Sequence, residues 1–160
     1  MSRVAVVTDS VASIPELLIQ SLGIHWVPYH VHTEHESWRD LVTIQRAPFY
    51  RWLSSTKVLP KTACPSPGDY ARLYESLSAK EGIDGIVSIH MTSKGSGAYQ
   101  AAKVAQAMTQ ERLPDLRLRV IDTLNVSMCQ GWMVIEAARA ALEGASLSEV
   151  ADRVKRMIPS

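Results

Sequence analysis

A hydroxyl-rich turn separates an apolar run from an Ala-rich segment with helical spacing. The turn TSKGSG, residues 92–97, carries Ser93 and Ser96 close to two glycines. Glycine lets the backbone approach a ligand closely, and hydroxyls can donate hydrogen bonds to an anion, as can the N–H groups of a helix that starts at Gly97. The turn is not a Walker A motif, because Lys94 precedes its glycine. It therefore predicts either an anion cradle or a plain helix start with Ser96 as the N-cap.

A second loop, KTACPSPGD at residues 61–69, places a hydroxyl beside stiffening residues. Its prolines would hold the Thr62 hydroxyl in place at low entropic cost, which suits the recognition of a small polar group. The alternative is that Ser66 and Pro67 simply begin the next helix. Cys64 is not predicted to be a nucleophile, because nothing in the sequence supplies it with a dedicated base.

Polar residues follow two of the apolar runs at equivalent places. Asp9 and Ser10 come after the first run, and Asp122 and Asn125 come after a later one. An aspartyl phosphotransferase would need a second aspartate two residues after the first, where Val11 stands instead. We interpret these carboxylates as groups that brace their loops.

Four candidate metal ligands would share one face of an extended segment: His30, His32, Glu34 and Glu36. Such a set would form a soft metal patch only if the side chains converged on one point. An exposed, polar face of an edge strand explains the same pattern more simply. We therefore predict no metal site.

Composition is typical of one globular domain over residues 1–160, long enough to bury a core. A formal charge of +1 without a Lys/Arg block excludes a basic nucleic-acid footprint. The two cysteines form no CxxC pair, and no apolar run is long enough for a signal peptide or a membrane span. We expect a cytoplasmic protein without a transmembrane segment.

Strands alternate with helices along the chain, which is typical of βαβ units. Pro28 indicates that the second strand lies at an edge or carries a bulge. Capping boxes predict helix starts at Ser13, with Glu16 as its partner, and at Ser146, with Glu149. We predict strands at 3–8, 24–32, 85–91 and 116–123, and helices at 13–23, 43–55 (interrupted by proline), 71–82, 97–108, 132–144 and 145–157.

The fold class that follows is α/β, with a mainly parallel central sheet and helices on both faces. Ligands of such sheets collect at the carboxyl ends of the strands. Three loops should meet there: TDSVAS, TSKGSG and DTLNVSM. The loop KTACPSPGD joins them if the chain brings it to the same edge of the sheet.

Four segments together resemble the DegV family: VVTDSVASIP, KTACPSPGDY, SIHMTSKGSGAYQAA and VIDTLNVSMCQG. They occur in the family's order, with WRD near residue 40 at its acidic position. The resemblance runs from about residue 3 to about residue 157 and is specific, since four uncommon motifs lie in register. It implies the amino-terminal α/β domain of proteins that carry a second α/β domain.

The resemblance implies a lipid-binding protein that holds one long-chain fatty acid and needs no cofactor or metal. Several family members are non-catalytic carrier subunits that present the carboxylate to a separate fatty-acid kinase subunit. Hydroxyls and helix N–H groups would hold this carboxylate without an arginine clamp. The residues carried over by position are Thr62, Ser93, Ser96 and Gly97 for the carboxylate, and Asp9, Ser10, Lys94 and Ser127 as supporting loop residues.

This sequence departs from the family pattern at four positions and in length. Ala63 and Cys64 replace a serine and a glutamine, Gly95 replaces a leucine, and Ala98 replaces a threonine. Family members are also about twice as long, so that the second domain is absent from this chain. We therefore expect a half-built site, weak or absent fatty-acid binding, and self-association through an exposed apolar face.

Two other functions remain open. One is a small phosphate-handling α/β enzyme domain that uses Asp9, Lys94 and the Ser96 turn on a phosphorylated substrate. Thermal stabilisation by a phosphorylated ligand would distinguish this enzyme from a lipid carrier. The other is an interaction fragment that pairs with a separately encoded second domain.

Overall fold

The computed structural model describes residues 3–158, which form seven strands and six α-helices. The strands are β1 (Arg3–Asp9), β2 (His25–Val27), β3 (His30–His32), β4 (Ser37–Arg39), β5 (Lys61–Ala63), β6 (Ile83–His90) and β7 (Arg117–Asp122). The helices are α1 (Glu16–Ser21), α2 (Arg46–Ser55), α3 (Pro67–Ser78), α4 (Ala98–Arg112), α5 (Ser127–Leu142) and α6 (Leu147–Arg156).

A four-stranded parallel sheet with the order β2-β1-β6-β7 forms the centre of the molecule. Its two middle strands are buried along nearly their whole length, as a parallel sheet covered on both faces requires. Helices α1, α5 and α6 pack on one face, where Val6, Ile89 and Ile135 belong to one core cluster. Helices α3 and α4 cover the other face through Tyr74 and Ala102. The predicted fold class is confirmed.

A second, smaller sheet was not predicted from the sequence. It has three antiparallel strands in the order β4-β3-β5, with Val31 of β3 opposite Thr62 of β5. The predicted strand at 24–32 is wrong as a single element, because the chain leaves the main sheet at Pro28 and continues in the small one. Proline has no N–H to donate to a ladder, and this favours the break. The predicted position at a sheet edge is correct for β2, which is an outer strand of the main sheet.

Several helix boundaries differ from the prediction. Ser13 does not cap α1: its φ of 57° is left-handed, and it ends a short 3-10 turn at Ser10–Ala12. Helix α2 begins at Arg46, so that Pro48 lies in its first turn, where proline is tolerated, and does not interrupt the helix. The capping box of Ser146 and Glu149 is confirmed.

Helix α5 begins at Ser127, five residues before the predicted start at 132, and passes very close to the 3-10 turn. A Cβ placed on Gly131 would lie 2.3 Å from the backbone oxygen of Ala12. Only glycine permits this approach without movement of the backbone. The contact brings the start of α5 next to the turn after β1, where the Ser127 hydroxyl lies 3.2 Å from that of Ser13.

Candidate functional site

A cavity of about 780 Å³ lies beside the carboxyl ends of β1 and β6, a size typical of small-molecule sites. One part of its wall carries hydroxyls and another part is apolar. The hydroxyl residues are Ser10, Ser13, Tyr29, Tyr50, Thr62, Ser96 and Ser127, and the apolar side chains include Val11, Val31, Ile44, Phe49, Met91 and Val126. Such a wall suits a ligand with a small polar head and an apolar body.

Ser96 is held at the cavity by the Tyr29 hydroxyl, whose oxygen lies 2.7 Å from Ser96 Oγ. The backbone N–H of Tyr29 donates to Ser10 Oγ at 3.1 Å, which ties the link between β2 and β3 to the turn after β1. Ser96 Oγ also accepts the backbone N–H of Ala98 at 3.3 Å. The Ser96 hydroxyl is therefore oriented by its own helix start and by the distant Tyr29.

The Tyr29 hydroxyl stays protonated across the ordinary pH range. Burial first, and then the nearby Asp9 carboxylate, raise the pKa of Tyr29 well above its usual value. The hydrogen bond with Ser96 acts in the opposite direction and is outweighed. Tyr29 can therefore donate its proton to Ser96, which leaves the Ser96 proton free for a ligand.

The turn at 92–97 points its two serines in different directions. The backbone N–H of Ser93 donates to the Asp122 carboxylate at 3.2 Å, and the Ser93 side chain is exposed outside the cavity wall. Lys94 is exposed as well and does not line the cavity. The structure thus places Ser96 and Gly97 in the cavity, and Ser93 and Lys94 outside it. Asp122 braces this loop, as predicted.

Asp9 lies beneath the cavity with a fully buried side chain. Its carboxylate accepts hydrogen bonds from His90 Nδ1 at 2.9 Å and from Gln130 Nε2 at 3.1 Å. On the other side of the imidazole, Tyr74 donates to Ser88 Oγ, which lies 2.7 Å from His90 Nε2. Ser88 and His90 therefore join Tyr74 to Asp9 in one buried chain of hydrogen bonds.

The alternative of a phosphate-handling enzyme needs Asp9, Lys94 and Ser96 at one site. Asp9 is bonded inside the core, and Lys94 points away from the cavity that contains Ser96. The structure does not bring these three side chains together.

Strand β5 supplies Thr62 to the cavity, so that KTACPSPGD is both a strand and a helix start. Ser66 is the N-cap of α3 in a capping box with Asp69, as the simpler interpretation of this loop predicted. Cys64 also lines the cavity. A Cβ on Gly97 would lie 3.4 Å from Cys64 Sγ, so that Gly97 and Cys64 pack closely against each other in this part of the wall.

The cavity wall includes four residues that were not predicted from the sequence: Tyr29, Arg46, Phe49 and Tyr50. The ring of Phe49 packs against Trp52, which in turn contacts Trp38 of β4. The concentration of aromatic residues in α2 and a cation at its first residue were the available signals. Their direction depends on how α2 sits over the small sheet, which no local pattern reveals.

The histidines of β3 share a face, as predicted, and the rings of His30 and His32 stack with centroids 5.9 Å apart. Across residues 3–158 no group of three or more His, Cys, Asp or Glu side chains is arranged to hold a metal ion. The same part of the chain contains no helix with the length and apolar character needed to cross a membrane.

Comparisons with known proteins agree with the fold. The family model described as an uncharacterised protein of the DegV family matches residues 3–160. A DegV domain-containing protein of Caldanaerobacter subterraneus is 37% identical over 159 residues, which cover 99% of this chain and 54% of that protein. The chain spans about half the length of the curated relatives it matches.

Two solved structures are similar over nearly the whole chain. A DegV family protein from Thermus thermophilus, described for its fatty-acid binding, has 32% identity and a TM-score of 0.81, covering 97% of this chain and 53% of that one. DegV from Bacillus subtilis, described as a fatty acid binding protein, has 27% identity and a TM-score of 0.87, covering 98% and 54%. On the match of the family model, this chain belongs to the DegV family.

Proposed function

We propose that this chain binds a long-chain fatty acid in the cavity, with the carboxylate at Thr62, Ser96 and Gly97. One observation carries the proposal: a single cavity joins oriented hydroxyls to an apolar wall. The relatives from Thermus thermophilus and Bacillus subtilis, both described as fatty-acid-binding proteins, support this choice of ligand.

The hydroxyls are suited to hold a carboxylate. Ser96 Oγ accepts the backbone N–H of Ala98 and shares a hydrogen bond with the Tyr29 hydroxyl; with Tyr29 as the donor of that bond, the Ser96 proton remains available to the ligand. Within residues 3–158 the Thr62 hydroxyl has no hydrogen-bond partner in the protein and is free to donate as well. A hydrogen bond to a charged acceptor contributes about 1.5–3 kcal/mol, so that two such donors can position the head group.

The apolar wall would take the acyl chain, where each buried methylene contributes about 0.8 kcal/mol. Several residues of this wall are exposed, among them Tyr50 and Val126, so the acyl chain would be only partly covered. We therefore expect weak binding, with a Kd above about 1 μM, which corresponds to about −8.2 kcal/mol.

The wider role we propose is that of a non-catalytic carrier that presents the carboxylate to a separate kinase subunit in the cytoplasm. The exposure of Thr62 and Gly97 supports this role, because a head group bound there would be accessible to a partner. The residues in the cavity would act as ligand contacts and not as catalysts.

Displacement of a fluorescent fatty acid tests the site. Thr62→Val and Ser96→Ala each remove a hydroxyl and should weaken binding about tenfold, which is about 1.4 kcal/mol. Ser93→Ala is the matched control. It removes a serine hydroxyl from the turn that also contains Ser96, and it keeps the backbone N–H that donates to Asp122. No binding by the wild type, or equal binding by all four proteins, would contradict the proposal.

A further inference from the structure

Arg46 lines the same cavity as Thr62 and Ser96, at the first residue of α2. Its side chain is half-buried. Within residues 3–158 no carboxylate forms an ion pair with it, and its guanidinium makes no hydrogen bond to the protein. An unpaired, partly desolvated cation thus lines the cavity whose wall also carries Thr62 and Ser96.

The other cations near the site differ from Arg46. Lys61 precedes Thr62 in β5 and Lys94 belongs to the turn of Ser96, yet both are exposed and neither lines the cavity. Among the residues that line it, only Asp40 and Arg46 carry a charge. Arg46 is therefore the cation placed to act on a bound anion.

The nearby carboxylates do not explain the position of Arg46. Arg46 also borders a narrow cleft that reaches Asp9, but that carboxylate is already bonded to His90 and Gln130. A further cleft is lined by Arg46 and Glu16, and the Glu16 carboxylate accepts a hydrogen bond from Gln20 Nε2 without an ion pair to Arg46. Asp40 lies in the cavity wall without an ion pair to Arg46. Helix α2 buries none of its residues, so Arg46 is not held there by the packing of a core.

We propose that Arg46 contacts the anionic head group of the ligand and makes the cavity selective for carboxylates over neutral lipids of equal chain length. A planar guanidinium matches a carboxylate with two parallel hydrogen bonds, which hydroxyls alone cannot supply. Asp40 acts against this selectivity, because its charge repels the same head group. The inference rests on the proposed function and names the group that distinguishes a charged ligand from a neutral one.

Titration of the full chain with tetradecanoic acid and with 1-tetradecanol tests the proposal. Wild type should bind the acid more tightly than the alcohol. Arg46→Gln should weaken binding of the acid about tenfold and leave binding of the alcohol unchanged. Arg46→Lys should recover part of the loss, and Asp40→Asn should strengthen binding of the acid.

Lys61→Gln and Lys94→Gln are the matched controls, since each removes one positive charge outside the cavity. Salt provides a measurement that needs no variant: binding of the acid should weaken as NaCl is raised, while binding of the alcohol should not. If Arg46→Gln loses acid and alcohol binding equally, or loses neither, the proposed role of Arg46 is overturned. The proposed function then still stands. A wild type that binds neither ligand overturns the proposed function and this inference with it.

Discussion

The hydroxyl of Tyr29 links the buried part of the molecule to the cavity. It lies 2.7 Å from Ser96 Oγ, and the backbone N–H of Tyr29 is bonded to Ser10, the residue after buried Asp9. Because burial and the Asp9 charge keep the pKa of Tyr29 high, the hydroxyl stays protonated and able to donate at every pH at which the protein is handled. The orientation of Ser96 should therefore depend on Tyr29 and should not change with pH in the neutral range.

Tyr29→Phe should weaken fatty-acid binding about fivefold, because the Ser96 hydroxyl loses the partner that orients it, a loss of about 1 kcal/mol. The loss should be the same at pH 6 and pH 8 in the displacement titration. Tyr99→Phe, which removes a hydroxyl from α4 outside the cavity, serves as the control. Equal affinities for wild type and Tyr29→Phe would show that Ser96 is oriented without Tyr29.

Five of the eight candidate residues line the cavity: Ser10, Thr62, Ser96, Gly97 and Ser127. Thr62 lies in β5, and the other four lie in the connections that follow β1, β6 and β7, at the edge of the sheet where ligands were expected. The choice between Ser93 and Ser96 could not be made from the sequence. It depends on the distant carboxylate of Asp122, which bonds the N–H of Ser93 and sets the rotation of the turn. Arg46 was missed for a similar reason, since its direction follows from the placement of α2.

At the scale of elements, the contact between α5 and the 3-10 turn positions one side of the site. Gly131 lets the helix approach the oxygen of Ala12, and the same approach places Ser13 next to Ser127. Both serines line the cavity. The packing of α5 thus determines stability and the shape of the site together.

Gly131→Ala should destabilise the protein by about 1–3 kcal/mol, because a Cβ at 2.3 Å from a backbone oxygen forces the helix and the turn apart. Urea denaturation measures the change. Gly68→Ala in α3 is the control, since its Cβ would meet the flexible end of Arg72 at 3.4 Å and Ser66 Oγ at an ordinary 3.7 Å, and alanine favours the helix. Similar midpoints for the two variants would contradict the close approach.

The long elements were predictable and the short ones were not. Strands β1 and β6 are apolar runs bounded by turn residues, a pattern that needs no knowledge of the partner strand. Strands β3, β4 and β5 have three residues each, too few to show a period of two. Their existence depends on antiparallel pairing between distant segments, such as Val31 with Thr62.

At the scale of the whole molecule, one part of the surface is unusually apolar. Leu124, Val126, Met128 and Trp132 are each between 39% and 51% exposed and lie along the start of α5. We call these four residues the 124–132 patch. Val126 also lines the cavity, so the patch borders the proposed lipid site. Exposed apolar residues near one another in the chain favour association, because burying them removes apolar area from water.

We predict that the chain forms dimers through the 124–132 patch in a concentration-dependent manner, as measured by sedimentation velocity. Trp132→Glu should shift the equilibrium to monomer, because dimerisation would bury an unpaired charge. Leu59→Glu is the control, since Leu59 is 85% exposed and lies outside the patch. A wild type that stays monomeric at every soluble concentration, or a Leu59→Glu variant that dissociates as readily as Trp132→Glu, would show that this face does not pair with a second copy.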